Sequence, residues 1–171
     1  MKRFCAIFLA LFLVLSFAAA EDPAEGFWIS FDEKTDKPNG GWRLYVDETD
    51  NRLYGVTVSL ADKTADTRAY GCKKRIYKGY PVQSELSNMP IVGSIWIFNL
   101  EKQNTGEWSK GNIIDPSTGA MYKCKAIFHK ADNQKYKTDT LELRGEIGLG
   151  IGKSIYWARA TEEEALAIQK Q

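Results

Sequence analysis

The segment from Gly106 to Arg159 alternates polar and apolar residues between short turn signals, and this pattern constrains the fold more than any other feature of the chain. Half-buried antiparallel strands have this pattern, because successive side chains of a strand point to opposite faces of the sheet. The turn Asp115-Pro116-Ser117-Thr118-Gly119 separates two of these segments, and the carboxylate of such a turn bonds to its own backbone. The second half of the chain therefore predicts a β-meander.

The first half continues the pattern and then interrupts it. Three alternating segments lie before residue 61, whereas residues 61–90 are polar, lack alternation and predict a long loop. Strand character returns at Ile91, in a nearly continuous apolar run that suits a strand buried on both faces or covered by the loop on one face. About eight strands result, which is the number that closes a small barrel around side chains or one ligand. We predict an all-β fold, an eight- to nine-stranded antiparallel up-and-down barrel, with a short C-terminal helix that Thr161 can cap.

The first twenty residues have the composition of a targeting segment. Lys2 and Arg3 precede an apolar run over residues 4–17, and three alanines at 18–20 follow it. This order predicts a signal peptide over residues 1–20, cleaved before Glu21, because a membrane-spanning helix needs about 20 apolar residues. Residues 21–171 then form a single exported barrel domain, periplasmic or extracellular, with its long loop at 61–90 and no transmembrane segment.

Charge and cysteine usage limit the partners of this domain. Loss of Lys2 and Arg3 from the 23 basic residues leaves 21 against 22 acidic ones, and the resulting charge of −1 offers no field for nucleic acid. Cys72 and Cys124 remain, and in an oxidising compartment they are predicted to form a disulfide; two separate buried thiols are the alternative. With His129 as the single histidine, we expect no metal site.

No combination of residues predicts catalysis. The Gly-Lys-Ser at 152–154 ends a glycine-rich stretch, but a strand pattern follows it where a phosphate loop needs a helix. We interpret His129 as a strand-end residue and the acidic group around Asp32 as a solvated turn. Lys73-Lys74-Arg75 is interpreted as a solvated basic cluster. The sequence therefore predicts a protein that is not an enzyme and uses no cofactor.

The start of the first strand resembles a known barrel family. Gly26-Phe27-Trp28 is similar to the Gly-x-Trp that opens lipocalin-type barrels, in which a basic residue of the last strand packs across the tryptophan. Arg159 occupies that position here, and the first and last strands of an up-and-down barrel are neighbours. The resemblance thus implies a lipocalin-like barrel in which Trp28 and Arg159 meet in a structural contact.

A more extensive resemblance covers residues 23–160, with the loop at 61–90 departing most. The chain resembles a bacterial family of secreted proteins known as domain of unknown function 2147. The segments that carry this resemblance are Gly26–Trp28, Leu53–Val56, Ile91–Gly93, Trp108–Gly119, Tyr122–Cys124, Leu143–Gly145, Ile147-Gly148 and Trp157–Arg159. The resemblance implies a fold and a compartment, but no activity and no catalytic residues.

Two classes of function fit these observations. The first is a non-enzymatic binder of a small apolar or amphipathic molecule, for which Trp42, Trp96 and Trp108 are the candidate ligand contacts. The second is an envelope module that binds another protein or the cell wall through its loops. An apolar cavity inside the barrel would favour the first class, and a filled barrel with an exposed aromatic patch would favour the second.

Overall fold

The computed structural model describes residues 21–82, 84–148 and 150–168, so the predicted signal peptide lies outside the described residues. Eight strands form a closed antiparallel barrel in which each strand pairs with the next and β8 pairs with β1. The strands are β1 Gly26–Phe31, β2 Pro38–Asp47, β3 Arg52–Leu60, β4 Ile95–Asn104, β5 Glu107–Ile114, β6 Met121–His129, β7 Thr140–Glu146 and β8 Gly152–Ala160. The predicted up-and-down barrel is confirmed, with eight strands.

A short helix, α1 (Glu162–Leu166), follows the last strand and packs against the outside of the barrel. Thr161 caps this helix as expected. Its side chain accepts a hydrogen bond from the amide of Glu164, and the Glu164 carboxylate accepts one from the amide of Thr161. A Cβ on Gly41 would overlap the carbonyl of Ala165, so a glycine on β2 permits this close packing. No helix in the described ranges is long and apolar enough to cross a bilayer.

One end of the barrel is filled and closed. Trp28, Leu44, Leu53, Leu100 and Trp108 belong to a buried cluster of inward-facing side chains, hereafter the interior cluster, which also includes Cys124 on β6. Residues 22–25, just before β1, lie across this end. This end of the barrel, where β1 begins and β8 ends, is hereafter the closed end; the opposite end is the open end.

Two β-bulges determine which residues face inward on β4 and β5. Asn99 and Lys110 both have positive φ, 60° and 61°, and the pairing register shifts beside each of them. Each bulge adds one residue to its strand, so the parity of inward-facing positions changes there. Trp108 therefore packs in the interior cluster, whereas Ile114, six residues later, faces outward.

The long connection between β3 and β4 covers the outside of the barrel. It runs to residue 94, because β4 begins at Ile95 and not at Ile91 as the apolar run suggested. Its short 3₁₀ turns, Tyr70–Cys72 and Leu86–Asn88, help to build a second buried cluster, the outer cluster. The members of the outer cluster are Tyr54, Ala69, Cys72, Leu86, Ile91, Trp96, Phe98 and Ile114. The strand β4 is thus buried on both faces, as its composition predicted.

The predicted disulfide between Cys72 and Cys124 is wrong: both cysteines are free and buried. Cys72 belongs to the outer cluster, whereas Cys124 on β6 belongs to the interior cluster. The barrel wall separates these clusters, and thiols on opposite faces of a sheet cannot reach disulfide geometry without backbone movement.

Candidate functional site

A cavity of about 990 Å³ occupies the open end of the barrel. Its wall consists of inward-facing residues from β2, β3 and β5 to β8, and its rim consists of the connecting loops. The wall residues are Trp42, Thr57, Ile113, Tyr122, Cys124, Leu143, Gly145, Ile155 and Trp157. Because the closed end is packed with side chains, the cavity opens to solvent at one end only.

Two stacked tryptophans form part of the wall nearest the packed interior. The rings of Trp42 and Trp157 have centroids 4.7 Å apart and planes 24° apart, an offset-stacked arrangement that fixes both side chains. The indole N–H of Trp42 donates to Ser30 Oγ at 3.2 Å. Trp42 thus presents its aromatic ring to the cavity, while its indole N–H is already bonded to Ser30.

Two other polar atoms of the wall have no hydrogen-bond partner among the described residues. These atoms are Thr57 Oγ1 and Trp157 Nε1, and their residues are only 1% and 2% exposed. A buried polar group without a partner is rare in folded proteins, because its lost hydration is not replaced. The other wall residues are mainly apolar, so the wall combines apolar side chains with a few polar groups. This is the usual composition of a small-molecule site.

The rim of the cavity is charged but balanced. Lys34, Lys37, Lys63 and Lys153 face Asp32, Glu33, Asp62 and Asp115 around the opening. Lys153 forms an ion pair with Glu33, and Lys63 Nζ lies 2.9 Å from Asp62 Oδ2. Equal numbers of the two signs give the opening no net preference for an anionic or a cationic molecule.

Cys124 lies in the wall as a neutral thiol. Burial raises its pKa to about 12, so the thiolate, the reactive form of cysteine, is scarce at neutral pH. Cys124 therefore packs within the wall as a small apolar side chain and is not a reactive group of the cavity.

The structure brings only one of the three candidate tryptophans to the cavity. Trp42 lines it, whereas Trp96 lies in the outer cluster and donates to the carbonyl of Ile91 at 2.8 Å. Trp108 lies at the closed end and donates to Asp22 Oδ1 at 3.0 Å. Trp157 lines the cavity but was not among the predicted ligand contacts, although its alternation with Ile155 indicated that both residues face the same side of β8.

Trp28 and Arg159 lie together at the closed end, remote from the cavity. They are directly paired in the β1–β8 ladder, and the guanidinium lies over the indole ring. Arg159 also donates to the carbonyls of Pro23 and Glu25, which holds residues 22–25 against the barrel.

His129 lies on the outer surface in a small polar group. Its Nε2 is 2.9 Å from Glu142 Oε2, and Ser154 donates to the other oxygen of Glu142 at 2.6 Å. The carboxylate stands between the imidazole and the hydroxyl, so these contacts do not place His129 as a base for Ser154. Within the described ranges, no three histidine, cysteine or acidic residues are grouped so that they could hold a metal ion.

An antiparallel up-and-down barrel of eight strands, filled at one end and open at the other, is a lipocalin-like fold. Residues 26–159 match the family model described as "Uncharacterized protein conserved in bacteria" (DUF2147), and the chain belongs to this family. A solved structure with this fold is that of protein HP1028 from the human pathogen Helicobacter pylori, which is described as belonging to the lipocalin family. The two share 15% sequence identity over 85% of this chain and 88% of that one, with a TM-score of 0.63. No curated protein matches the chain.

Proposed function

We propose that this protein is a non-enzymatic binder of a small apolar or amphipathic molecule, which it holds in the cavity at the open end of the barrel. The observation that carries this proposal is the cavity itself. Its volume of about 990 Å³ suits one small ligand, since such sites measure roughly 300–1,000 Å³. The lipocalin-like fold is consistent with this use, because eight-stranded barrels can enclose one small ligand.

The distribution of polarity indicates how a ligand would lie. The side chains of Trp42, Ile113 and Ile155 line the cavity and are only partly buried, so they offer apolar surface inside the barrel. Charged side chains occur at the rim, where water remains accessible. The apolar part of a ligand would therefore enter the barrel, while any strongly polar part would stay at the opening.

The cavity also supports this function over the alternative, an envelope module that binds through its loops. A barrel filled along its whole length would leave only the outer surface for binding. Here the interior is filled at the closed end and empty of side chains at the open end, which favours the ligand-binding role.

We also propose that the protein acts outside the cytoplasm after removal of residues 1–20. This part of the proposal rests on the sequence of that segment. N-terminal sequencing of the protein recovered from its own host would give Glu21 as the first residue. A product that still begins at Met1 would contradict export by cleavage.

Binding can be tested with a fluorescent apolar probe, N-phenyl-1-naphthylamine, which becomes bright in apolar surroundings. We expect saturable binding of one probe per protein, and displacement of the probe by molecules that native mass spectrometry finds bound to protein purified from its host. Probe fluorescence that rises linearly without saturation would contradict a defined cavity site.

A further inference from the structure

We propose that the open end of the barrel docks on the surface of an anionic phospholipid bilayer. In this arrangement Ile76 and the turn between β7 and β8 enter the lipid interface, while the basic side chains of residues 73–78 lie against the headgroups. The inference names a partner surface and goes beyond the proposed function, because it does not depend on what the cavity holds.

Large apolar side chains are exposed around the open end. Ile76 is 98% exposed, and Ile147 and Ile151 are 70% and 63% exposed. The latter two belong to the turn that joins β7 to β8, and Met121, 40% exposed, begins β6 beside that turn. Exposed apolar side chains that gather at one end of a protein indicate an interaction surface.

The segment that carries Ile76 is fixed at the open end by hydrogen bonds. The hydroxyl of Tyr77 donates to the carbonyl of Gly119, in the turn between β5 and β6, at 2.9 Å. The hydroxyl of Tyr80 donates to the carbonyl of Ile95, the first residue of β4, at 2.8 Å. The exposure of Ile76 is therefore set by the fold, since the residues that follow it are anchored to the barrel.

The side chains around Ile76 are positively charged. Four exposed cationic residues share its loop: Lys73, Lys74, Arg75 and Lys78. None of the four forms an ion pair with an acidic residue in the part of the chain that the structure describes. The sequence has no acidic residue from position 67 to position 84. This loop therefore combines an exposed isoleucine with an excess of positive charge.

The neighbouring turn between β5 and β6 contributes one acidic group, Asp115. Its carboxylate accepts from the amide of Ser117 and from the hydroxyl of Thr118, both at 2.8 Å. One carboxylate engaged within its own turn leaves the four cations in excess at this side of the opening.

This combination fits an anionic bilayer. At about 0.1 M salt, charges act over only about 10 Å, so a membrane is attracted by the local cluster and not by the net charge of the domain. A lysine or arginine held near anionic lipid strengthens binding about fivefold, and apolar side chains beside such cations enter the interface. The isoleucines project from two separate loops, whereas a protein partner needs a continuous surface of roughly 1,000 Å².

Vesicle binding tests the inference. Co-sedimentation would compare vesicles of equal parts phosphatidylglycerol and phosphatidylcholine with vesicles of phosphatidylcholine alone. The protein used begins at Glu21, so that the apolar run before it does not itself bind lipid. We expect binding at least about tenfold tighter to the anionic vesicles, and we expect added salt to weaken it.

Variants connect this binding to the loop. Lys73→Gln/Lys74→Gln should weaken it about 25-fold, from two cations at about fivefold each. Ile76→Ser should weaken it about tenfold or more, whereas Ile76→Leu should bind as the wild type does. The matched control for charge is Lys135→Gln/Lys137→Gln, which removes two exposed cations from the β6–β7 connection at the closed end.

A fluorescent label reports the orientation of the barrel. Cys72 and Cys124 are buried, so in the folded protein the polarity-sensitive fluorophore NBD can be directed to Ile76→Cys or to Lys137→Cys. With anionic vesicles, the emission of the label at position 76 should shift to shorter wavelength. The label at position 137 should not respond.

Several results would overturn the inference. They are absence of binding to the anionic vesicles, equal binding to the neutral ones, a response of the label at position 137, and a control that loses as much affinity as Lys73→Gln/Lys74→Gln. Self-association in place of vesicle binding, abolished by Ile76→Ser in analytical ultracentrifugation, would assign the surface to a second copy of the chain. All these measurements are made without N-phenyl-1-naphthylamine, so a failure here leaves the proposed function intact, and absence of saturable probe binding would overturn that function alone.

Discussion

The guanidinium carbon of Arg159 lies 3.9 Å from the ring centroid of Trp28, and the two residues are direct partners in the ladder that joins the last strand to the first. The same guanidinium donates to the carbonyls of Pro23 and Glu25. One side chain therefore joins barrel closure to the segment that covers the closed end.

We expect Arg159→Ala to lower the free energy of unfolding by about 1–3 kcal/mol, since it removes a cation–π contact and leaves two carbonyls without their donor. Urea unfolding measures the change. Arg159→Lys is the matched control: it keeps the charge but not the planar fork of donors, so its effect should be intermediate. An unchanged midpoint for Arg159→Ala would contradict a structural role, and probe binding should persist in the folded fraction.

The second prediction concerns the carboxylate of Asp22, which is 7% exposed. It accepts from the indole of Trp108 at 3.0 Å and from the amide of Gly106 at 3.1 Å, and it pairs with Lys102 at 2.9 Å. Asp22→Asn should lower the free energy of unfolding by about 1–3 kcal/mol. The side-chain NH₂ group of asparagine would replace one carboxylate oxygen and would face the N–H donors that now bond to it. Chemical denaturation at neutral pH measures this loss.

The stability difference between wild type and Asp22→Asn should depend on pH. Burial raises the pKa of Asp22, but the hydrogen bonds from Trp108, Lys102 and two backbone amides outweigh it, and the pKa lies below its ordinary value of 3.8. A carboxyl whose pKa is lowered on folding stabilises the protein above the pKa of its unfolded state, and this contribution is lost as pH falls through the folded-state value. The difference should therefore narrow below about pH 4, and curves that stay parallel there would contradict the prediction.

The third prediction tests the cavity by filling it. A Cβ on Gly145 would make an ordinary contact with Tyr122 Cβ at 3.6 Å, so Gly145→Ala should keep both fold and probe binding. Gly145→Leu should project into the cavity and weaken binding of N-phenyl-1-naphthylamine by about tenfold or more, at a stability cost of up to about 3 kcal/mol. Fluorescence titration compares the two variants, and equal affinities would place the probe outside the barrel.

The fourth prediction concerns the two buried cysteines. Because both are free, denatured and unreduced protein should label with a thiol reagent at Cys72 and at Cys124. In the folded protein labelling of Cys124 should be slow, since burial raises its pKa to about 12. Peptide mapping after labelling reports each site, and a Cys72–Cys124 cross-linked peptide would contradict the structure.

Several features of the fold could be predicted from local sequence. Alternation predicted the strands, the turn residues from Asp115 to Gly119 predicted a turn, and Thr161 predicted a helix cap. Each of these features depends on residues only a few positions apart. The contact between Trp28 on the first strand and Arg159 on the last strand could be anticipated from the resemblance to lipocalin-type barrels. The long connection after β3 was recognised by its lack of alternation.

The positions of the tryptophans and cysteines were decided only by the tertiary structure. Alternation shows which residues of a strand share a face, but a bulge reverses that parity, as Asn99 and Lys110 do on β4 and β5. Alternation also does not show at which end of the barrel a residue lies. The sequence therefore determined a barrel of aromatic-rich strands, whereas strand register, the bulges and packing of the long loop decided that Trp157, and not Trp96 or Trp108, would line the cavity.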